Sequence, residues 1–248
     1  MFHAVREMFR EALEMAQLQP EFRKVCPDNL ARAQLEKRFA TISRNVDCPH
    51  NNSHILTFII EMFRFHNNHP QDTCVFLEAG CYKGGSTAKF SAAATMLNAG
   101  LLVCDSFEGI PDNEEDHETS IFGYSINNWF HKGAFHGGVE EVQKNVQKYG
   151  ELSVCEFRKG WFEDTLPDLE ESISGAYIDV DLASSTRTCI KHIYPRLVSG
   201  GFLVSQDGDF PLVIDVFDDD RFWETEVGCR KPVIHGLRTR KMLTVYKE

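Results

Sequence analysis

Residues 74–86 read Cys74-Val75-Phe76-Leu77-Glu78-Ala79-Gly80-Cys81-Tyr82-Lys83-Gly84-Gly85-Ser86. A short unbroken apolar run closed by an acid and a glycine-rich turn reads as a buried parallel strand, because such a strand is covered on both faces. Thr87 to Asn98 is small and helix-friendly, and Gly100 closes it. Leu101-Leu102-Val103-Cys104 is a second apolar run, ending at Asp105. Strand, crossover helix and strand make a βαβ unit, and so a parallel sheet.

The alternation continues toward the C-terminus. A helix is expected over Val139 to Tyr149 and a strand over Leu152 to Phe157, then a loop over Lys159 to Leu166. Gly175 to Ile178 reads as a strand, Ser185 to Leu197 as a helix and Phe202 to Ser205 as a strand. Val233-Ile234 and Met242 to Tyr246 have strand character. Pro111 to Gly138 is long and irregular, acidic at first and aromatic later (Phe122, Tyr124, Trp129, Phe130, Phe135). A loop of that length in a compact domain is expected to be a lid or a binding segment.

The first seventy residues look helical instead. Phe2, Val5, Phe9, Leu13 and Ala16 share one face at helical spacing. Pro20 and Pro27 are expected to break the pattern. Asp28 is a suitable N-cap for a helix from Asn29 to about Ser43. His54 to Phe65 is the most apolar helix. The fold class is therefore α/β: a doubly wound, mostly parallel Rossmann-like sheet with an N-terminal helical cap. The cap is placed at residues 1–70 and the sheet domain at 71–248, with the lid insertion at about 111–138.

Lys and Arg number 26 against 37 Asp and Glu, a formal charge of −11. That balance disfavours nucleic acid and anionic membrane as partners, since phosphate binding needs a basic footprint. The most apolar helical stretch, Ile55 to Phe63, is interrupted by Glu61 and is too short to span a bilayer. Met1 to Arg10 lacks the apolar core of an export leader. The eight cysteines contain no C-x-x-C pair and read as reduced core thiols of a cytoplasmic protein. Cys48, His50, His54, His66 and His69 lack a second pair to complete a zinc tetrahedron, so loop and helix-end roles are expected. His131 and His136 fall in the lid and read as solvated.

Four constellations carry chemistry. Glu78-x-Gly80-x-x-x-Gly84-Gly85-Ser86 differs in spacing from the G-x-G-x-x-G dinucleotide fingerprint. Asp105, closing the next strand ahead of Ser106-Phe107-Glu108-Gly109-Ile110-Pro111, can accept hydrogen bonds from both hydroxyls of a ribose. Asp179 and Asp181 end a strand where open α/β sheets place ligands. In extended backbone they point to opposite faces and so have different jobs, unless Asp181 or Ser184 merely caps the next helix. Gln206, Asp207 and Asp209 end another buried strand. With Asp179 they offer oxygen donors to a hard cation, Mg²⁺ or Ca²⁺ rather than zinc. Asp215, Asp218, Asp219 and Asp220 read as an acidic surface turn.

From about Val75 to Asp209 these motifs, with Lys159-Gly160-Trp161-Phe162-Glu163-Asp164-Thr165-Leu166-Pro167, resemble the macrocin-O-methyltransferase type of class I S-adenosylmethionine-dependent methyltransferases. The resemblance implies methylation of a hydroxyl on a small molecule, a sugar or natural-product intermediate, commonly with Mg²⁺. It places Gly80, Gly84 and Ser86 by the methionine part of S-adenosylmethionine, with Glu78 shaping that pocket. Asp105 would hold the ribose. Ser106 and Phe107 would flank the adenine, and Gly160, Trp161 and Phe162 would complete its site. Asp179 would ligate the metal beside the cofactor with Gln206 and Asp207, and Asp181 is the general-base candidate. The chain departs from the family where Gln206-Asp207-Gly208 stands for Asp-Asp-Tyr and Ala183 for Tyr. Two other readings stay open: a non-catalytic methyltransferase-like binding module, and a nicotinamide-dependent oxidoreductase. The apolar N-terminal helices could pair subunits into a homo-oligomer.

Overall fold

The computed structural model describes the backbone of residues 2–248 and the side chains from residue 11 onward. Its centre is a seven-stranded sheet in the order β3-β2-β1-β4-β5-β7-β6. The strands are β1 (Val75–Ala79), β2 (Gly100–Asp105), β3 (Cys155–Lys159), β4 (Ile173–Ile178), β5 (Leu197–Ser205), β6 (Ile234–His235) and β7 (Leu243–Tyr246). β1 to β5 are parallel; β7 runs antiparallel between β5 and β6. The chain winds outward from β1 through β2 to β3, then returns to β4 on the other side of β1. The crevice at that reversal, outside the carboxyl ends of β1 and β4, is where doubly wound sheets bind ligands.

Alternate residues of each strand feed opposite faces. On one face Phe76, Tyr177 and Phe202 pack beneath α3 (Asn52–Asn68) and α4 (Gly85–Met96). Phe58 of α3 lies 4.9 Å from Phe90 and 5.4 Å from both Tyr177 and Phe202, centroid to centroid. The third helix is thus part of the sheet's own hydrophobic layer. On the other face Leu77, Ile178 and Leu203 pack with α7 (Ala183–Ile193) and α8 (Pro211–Asp218). Between β2 and β3 run residues 111–138, without a regular element, and α5 (Val139–Tyr149). A single helical turn, α6 (Phe162–Thr165), follows β3.

Two expectations about the N-terminal helices need correction. Pro20 does not break the first helix: α1 spans Phe2–Val25 with the proline inside it. Proline in a helix interior costs about 3 kcal/mol. Packing on α3 offsets this through Phe22 against Phe63 and Glu21 with Arg64. The apolar face is also shifted. Phe2, Val5 and Phe9 lie outside the described side chains, Leu13 is 64% exposed and Ala16 is exposed, whereas Met15, Leu18, Phe22 and Val25 meet the core. α2 (Asn29–Asn45) is capped as expected, with Asp28 accepting from the Leu30 and Ala31 N–H groups.

Asp215 and Asp218 lie in α8 and Asp220 opens a short helix over Asp220–Phe222, so the acidic stretch is a turn only at Asp219, where the backbone is extended between the two; Phe217 and Phe222 bury the apolar side of these helices. All eight cysteines are free, and Cys26, Cys74, Cys81, Cys104 and Cys189 are buried. Among the described residues no helix is long and apolar enough to cross a membrane.

Candidate active site

A cavity opens at the carboxyl ends of β1, β2, β4 and β5, with about 1160 Å³ free of protein atoms, open mouth included. Its floor is the turn after β1. Gly80 has φ +85°, and a Cβ there would collide with the Asp179 carbonyl, so backbone crosses backbone at this point. Asp105 ties the turn to its neighbour: Oδ2 accepts from the Cys81 N–H at 2.8 Å and Oδ1 from the Phe107 N–H at 2.7 Å. Gly80, Ser86, Asp105, Ser106, Trp161 and Phe162 all line the cavity.

Four residues assigned to the cofactor from the sequence lie behind this wall rather than on it. Glu78 is fully buried and accepts from Thr87 Oγ1 at 2.6 Å, while its other oxygen has no partner. Burial pushes its carboxyl up to about 8. Gly84 is the left-handed residue before α4, packed on Val142 of α5. Phe107 is buried against Phe157. Gly160 donates its N–H to the Asp105 carbonyl at 3.0 Å, fixing the loop that presents Trp161.

The acids after β4 do not point to opposite faces. Asp181 adopts φ +63°, so the chain leaves extended geometry just where the alternation would have separated the side chains. Carboxylate oxygens of Asp179, Asp181 and Asp207 consequently lie within 4.8 Å of one another, all on the cavity. Burial, then the neighbouring carboxylates, raise Asp179 and Asp181 well above the usual range. Burial raises Asp207 to about 6, opposed by the Lys241 charge and by the N–H groups of Val180 and Asp181 at 3.1 and 3.0 Å.

Gln206 also lines the cavity, but its Oε1 accepts from the buried Tyr177 hydroxyl. Asp209 is engaged elsewhere: Lys241 Nζ donates to it at 2.9 Å and the Tyr124 hydroxyl donates to its other oxygen. Neither Asp181 nor Ser184 caps α7. A carboxylate of the irregular segment 111–138 does so instead, Glu115 accepting from the Ala183 and Ser184 N–H groups at 2.7 and 2.8 Å. Burial works against that charge, but hydrogen bonds from His117 and Ser184 hold the carboxyl down at about 2.

The irregular segment 111–138 supplies an aromatic wall of Trp129, Phe130 and Phe135, facing Phe210. His131 and His136 are exposed. Sequence reasoning missed Lys241, Glu115 and Phe210, and did not place Asp47 and His50 on the cavity. Nothing local marks the first two.

Sheet order, reversal point and acid-ended strands together define the class I methyltransferase architecture. The solved structure of the O-methyltransferase NovP shares it, with a TM-score of 0.59 at 22% identity over 78% of this chain and 77% of that one. The chain belongs to the macrocin-O-methyltransferase (TylF) family, whose model matches residues 67–227. It is 30% identical over 151 residues to the 8-demethyl-8-(2,3-dimethoxy-alpha-L-rhamnosyl)-tetracenomycin-C 4'-O-methyltransferase of Streptomyces olivaceus, covering 58% of this chain and 57% of that protein. It is 29% identical over 140 residues to the mycinamicin III 3''-O-methyltransferase of Micromonospora griseorubida, covering 54% and 55%. The chain thus spans little more than half the length of the curated relatives it matches. The family match sets the nicotinamide reading aside.

Proposed function

We propose that this chain is an S-adenosylmethionine-dependent O-methyltransferase acting on a hydroxyl of a small molecule, a sugar or natural-product intermediate, with a divalent cation, Mg²⁺, in the site. The observation that carries the reading is one cavity with a ribose-type acid, Asp105, at one strand end and three converging carboxylates at two others. Three close carboxylates whose protons are held on first by burial and, for Asp179 and Asp181, by neighbouring carboxylates suit a hard dication with oxygen ligands. Lys241 does not replace that ion, since Asp209 already pairs with it. Asp179, Asp181 and Asp207 would hold the cation, with Asp181 in this set where the sequence pattern had suggested Gln206.

The bound donor supplies an electrophilic methyl group on a sulfonium, and the cation supplies a lowered pKa for an acceptor hydroxyl. The chain supplies the rest. Asp105 and Trp161 orient the nucleoside. Asp181, whose second carboxylate oxygen would stay free of the cation, takes the hydroxyl proton. Trp129, Phe130 and Phe135 exclude water and pack on the acceptor, so lid and cap select it. The tetracenomycin relative's name places its methylation on a rhamnosyl-bearing compound, which supports a glycoside acceptor here.

The test is methyl transfer from labelled S-adenosylmethionine to a panel of hydroxylated sugars and glycosides, with Mg²⁺ or with EDTA. Mg²⁺-dependent transfer to oxygen that Asp181→Asn abolishes supports the reading. Donor binding without turnover on any acceptor would favour the non-catalytic module.

A further inference from the structure

Lys89 of α4 has no exposed surface; it feels the charge of Glu11, but among the described residues no carboxylate lies within ion-pairing distance of it. Its Nζ donates to Ser43 Oγ at 2.9 Å and lies 3.0 Å from His50 Nε2. Burial lowers the amine to about 8, which leaves it a cation at neutral pH. An ammonium offers only donors, so Nε2 accepts and the ring's proton resides on Nδ1. Burial, then the Lys89 charge, hold this imidazole neutral. His50 is 8% exposed and lines the cavity, and among the described residues its Nδ1 has no hydrogen-bond partner.

The ring stands over the first turn of α4. A Cβ built on Gly85 would lie 3.7 Å from His50 Cε1 and would collide with the Cys48 sulfur. Gly85 and Ser86, which open this twelve-residue helix, share the cavity wall with His50. Three features at one spot therefore favour an anion: a positive helix end, a buried ammonium one layer behind with no carboxylate in direct contact, and an imidazole N–H without an acceptor. The only anionic group of an S-adenosyl donor is the carboxylate of its amino-acid end.

We propose that His50, oriented by Lys89, anchors that carboxylate, so that the cap segment before α3 completes the donor site. The inference rests on the methyltransferase reading above. His50 is the contact and Lys89 the positioning residue. His50 lies in the cap, ahead of the span matched by the family model, which begins at residue 67, whereas Lys89 lies within that span.

The test is calorimetric titration of wild type, His50→Ala, His50→Gln and Lys89→Met with three ligands: S-adenosylhomocysteine, its decarboxylated counterpart S-adenosyl-3-thiopropylamine, and adenosine. A charge-assisted hydrogen bond corresponds to about a tenfold to hundredfold preference of wild type for the carboxylate-bearing ligand. His50→Ala and Lys89→Met should bring that ratio close to one while adenosine affinity, which reports an intact fold, stays within about twofold. His50→Gln, which keeps a donor, should recover part of the preference, as a merely structural role would not. Variants that bind adenosine and keep the wild-type ratio overturn the inference alone. Wild type that fails to bind S-adenosylhomocysteine overturns the functional reading beneath it.

Discussion

Replacing Glu78 by glutamine should flatten the pH dependence of this protein's stability. The Glu78 carboxyl titrates at about 8 in the folded chain because burial disfavours its charge, against an ordinary value of 4.5. Between those values the folded state keeps a proton that the unfolded state has released. Stability from this group is therefore whole below pH 4.5 and is lost as pH rises toward 8, at up to about 1.4 kcal/mol per pH unit. From pH 5.5 to 7.5 the wild type should lose about 3 kcal/mol that Glu78→Gln does not. The amide nitrogen of the variant falls where the Glu78 oxygen has no partner, costing about 1–3 kcal/mol at every pH, so it cancels in the comparison. Asp179, Asp181 and Asp207 titrate in both proteins and cancel as well. The assay is urea unfolding of both proteins at the two pH values, without metal or donor. If both lose stability in parallel, Glu78 is ionised in the fold and the account of the turn after β1 is wrong.

Other perturbations probe the rest of the site. Mg²⁺ at about a hundred times its dissociation constant should stabilise the fold by about 2.7 kcal/mol, a rise in Tm of about 5–10 °C, and Asp207→Asn should remove most of it; an unmoved wild-type melting curve contradicts the cation site. Asp209→Asn leaves Lys241 a buried cation without its partner and should cost about 3–5 kcal/mol in urea unfolding, most of it regained in the double variant Asp209→Asn, Lys241→Met. Glu115→Gln should weaken the fold above pH 4.5, and the gap to wild type should close as pH falls toward 2, because Glu115 contributes only while ionised against the start of α7. Thermal melts at pH 3 and 7 check this; an equal gap at both would refute it.

Much of the fold was readable from the chain because parallel strands are covered on both faces and so appear as short apolar runs. Phe76-Leu77 and Leu101 to Cys104 lie inside β1 and β2, and Phe202 to Ser205 inside β5. Acids and glycines at the ends of these runs located the cavity for the same reason: the loops that leave a buried strand are where polar groups can face a ligand. What stayed hidden depended on long-range packing or on single dihedral angles. Pro20 is tolerated inside α1 where that helix packs on α3. The left-handed Asp181 brings its carboxylate round to Asp179, which a rule for extended strands cannot foresee. Phe107 and Gly160 looked like wall residues by motif, but packing on Phe157 and a hydrogen bond to Asp105 turn them inward. Lys241 meets Asp209 across 32 residues and Glu115 meets α7 across 68–69, separations at which no local pattern signals a partner.

The most direct measurement is anomalous diffraction from a crystal grown with S-adenosylhomocysteine and Mn²⁺. The account predicts one manganese peak bound by Asp179, Asp181 and Asp207, with the adenosine between Asp105 and Trp161 and the sulfur turned toward the metal. A nucleoside bound elsewhere, or manganese absent from those three carboxylates while the ligand is in place, would contradict it.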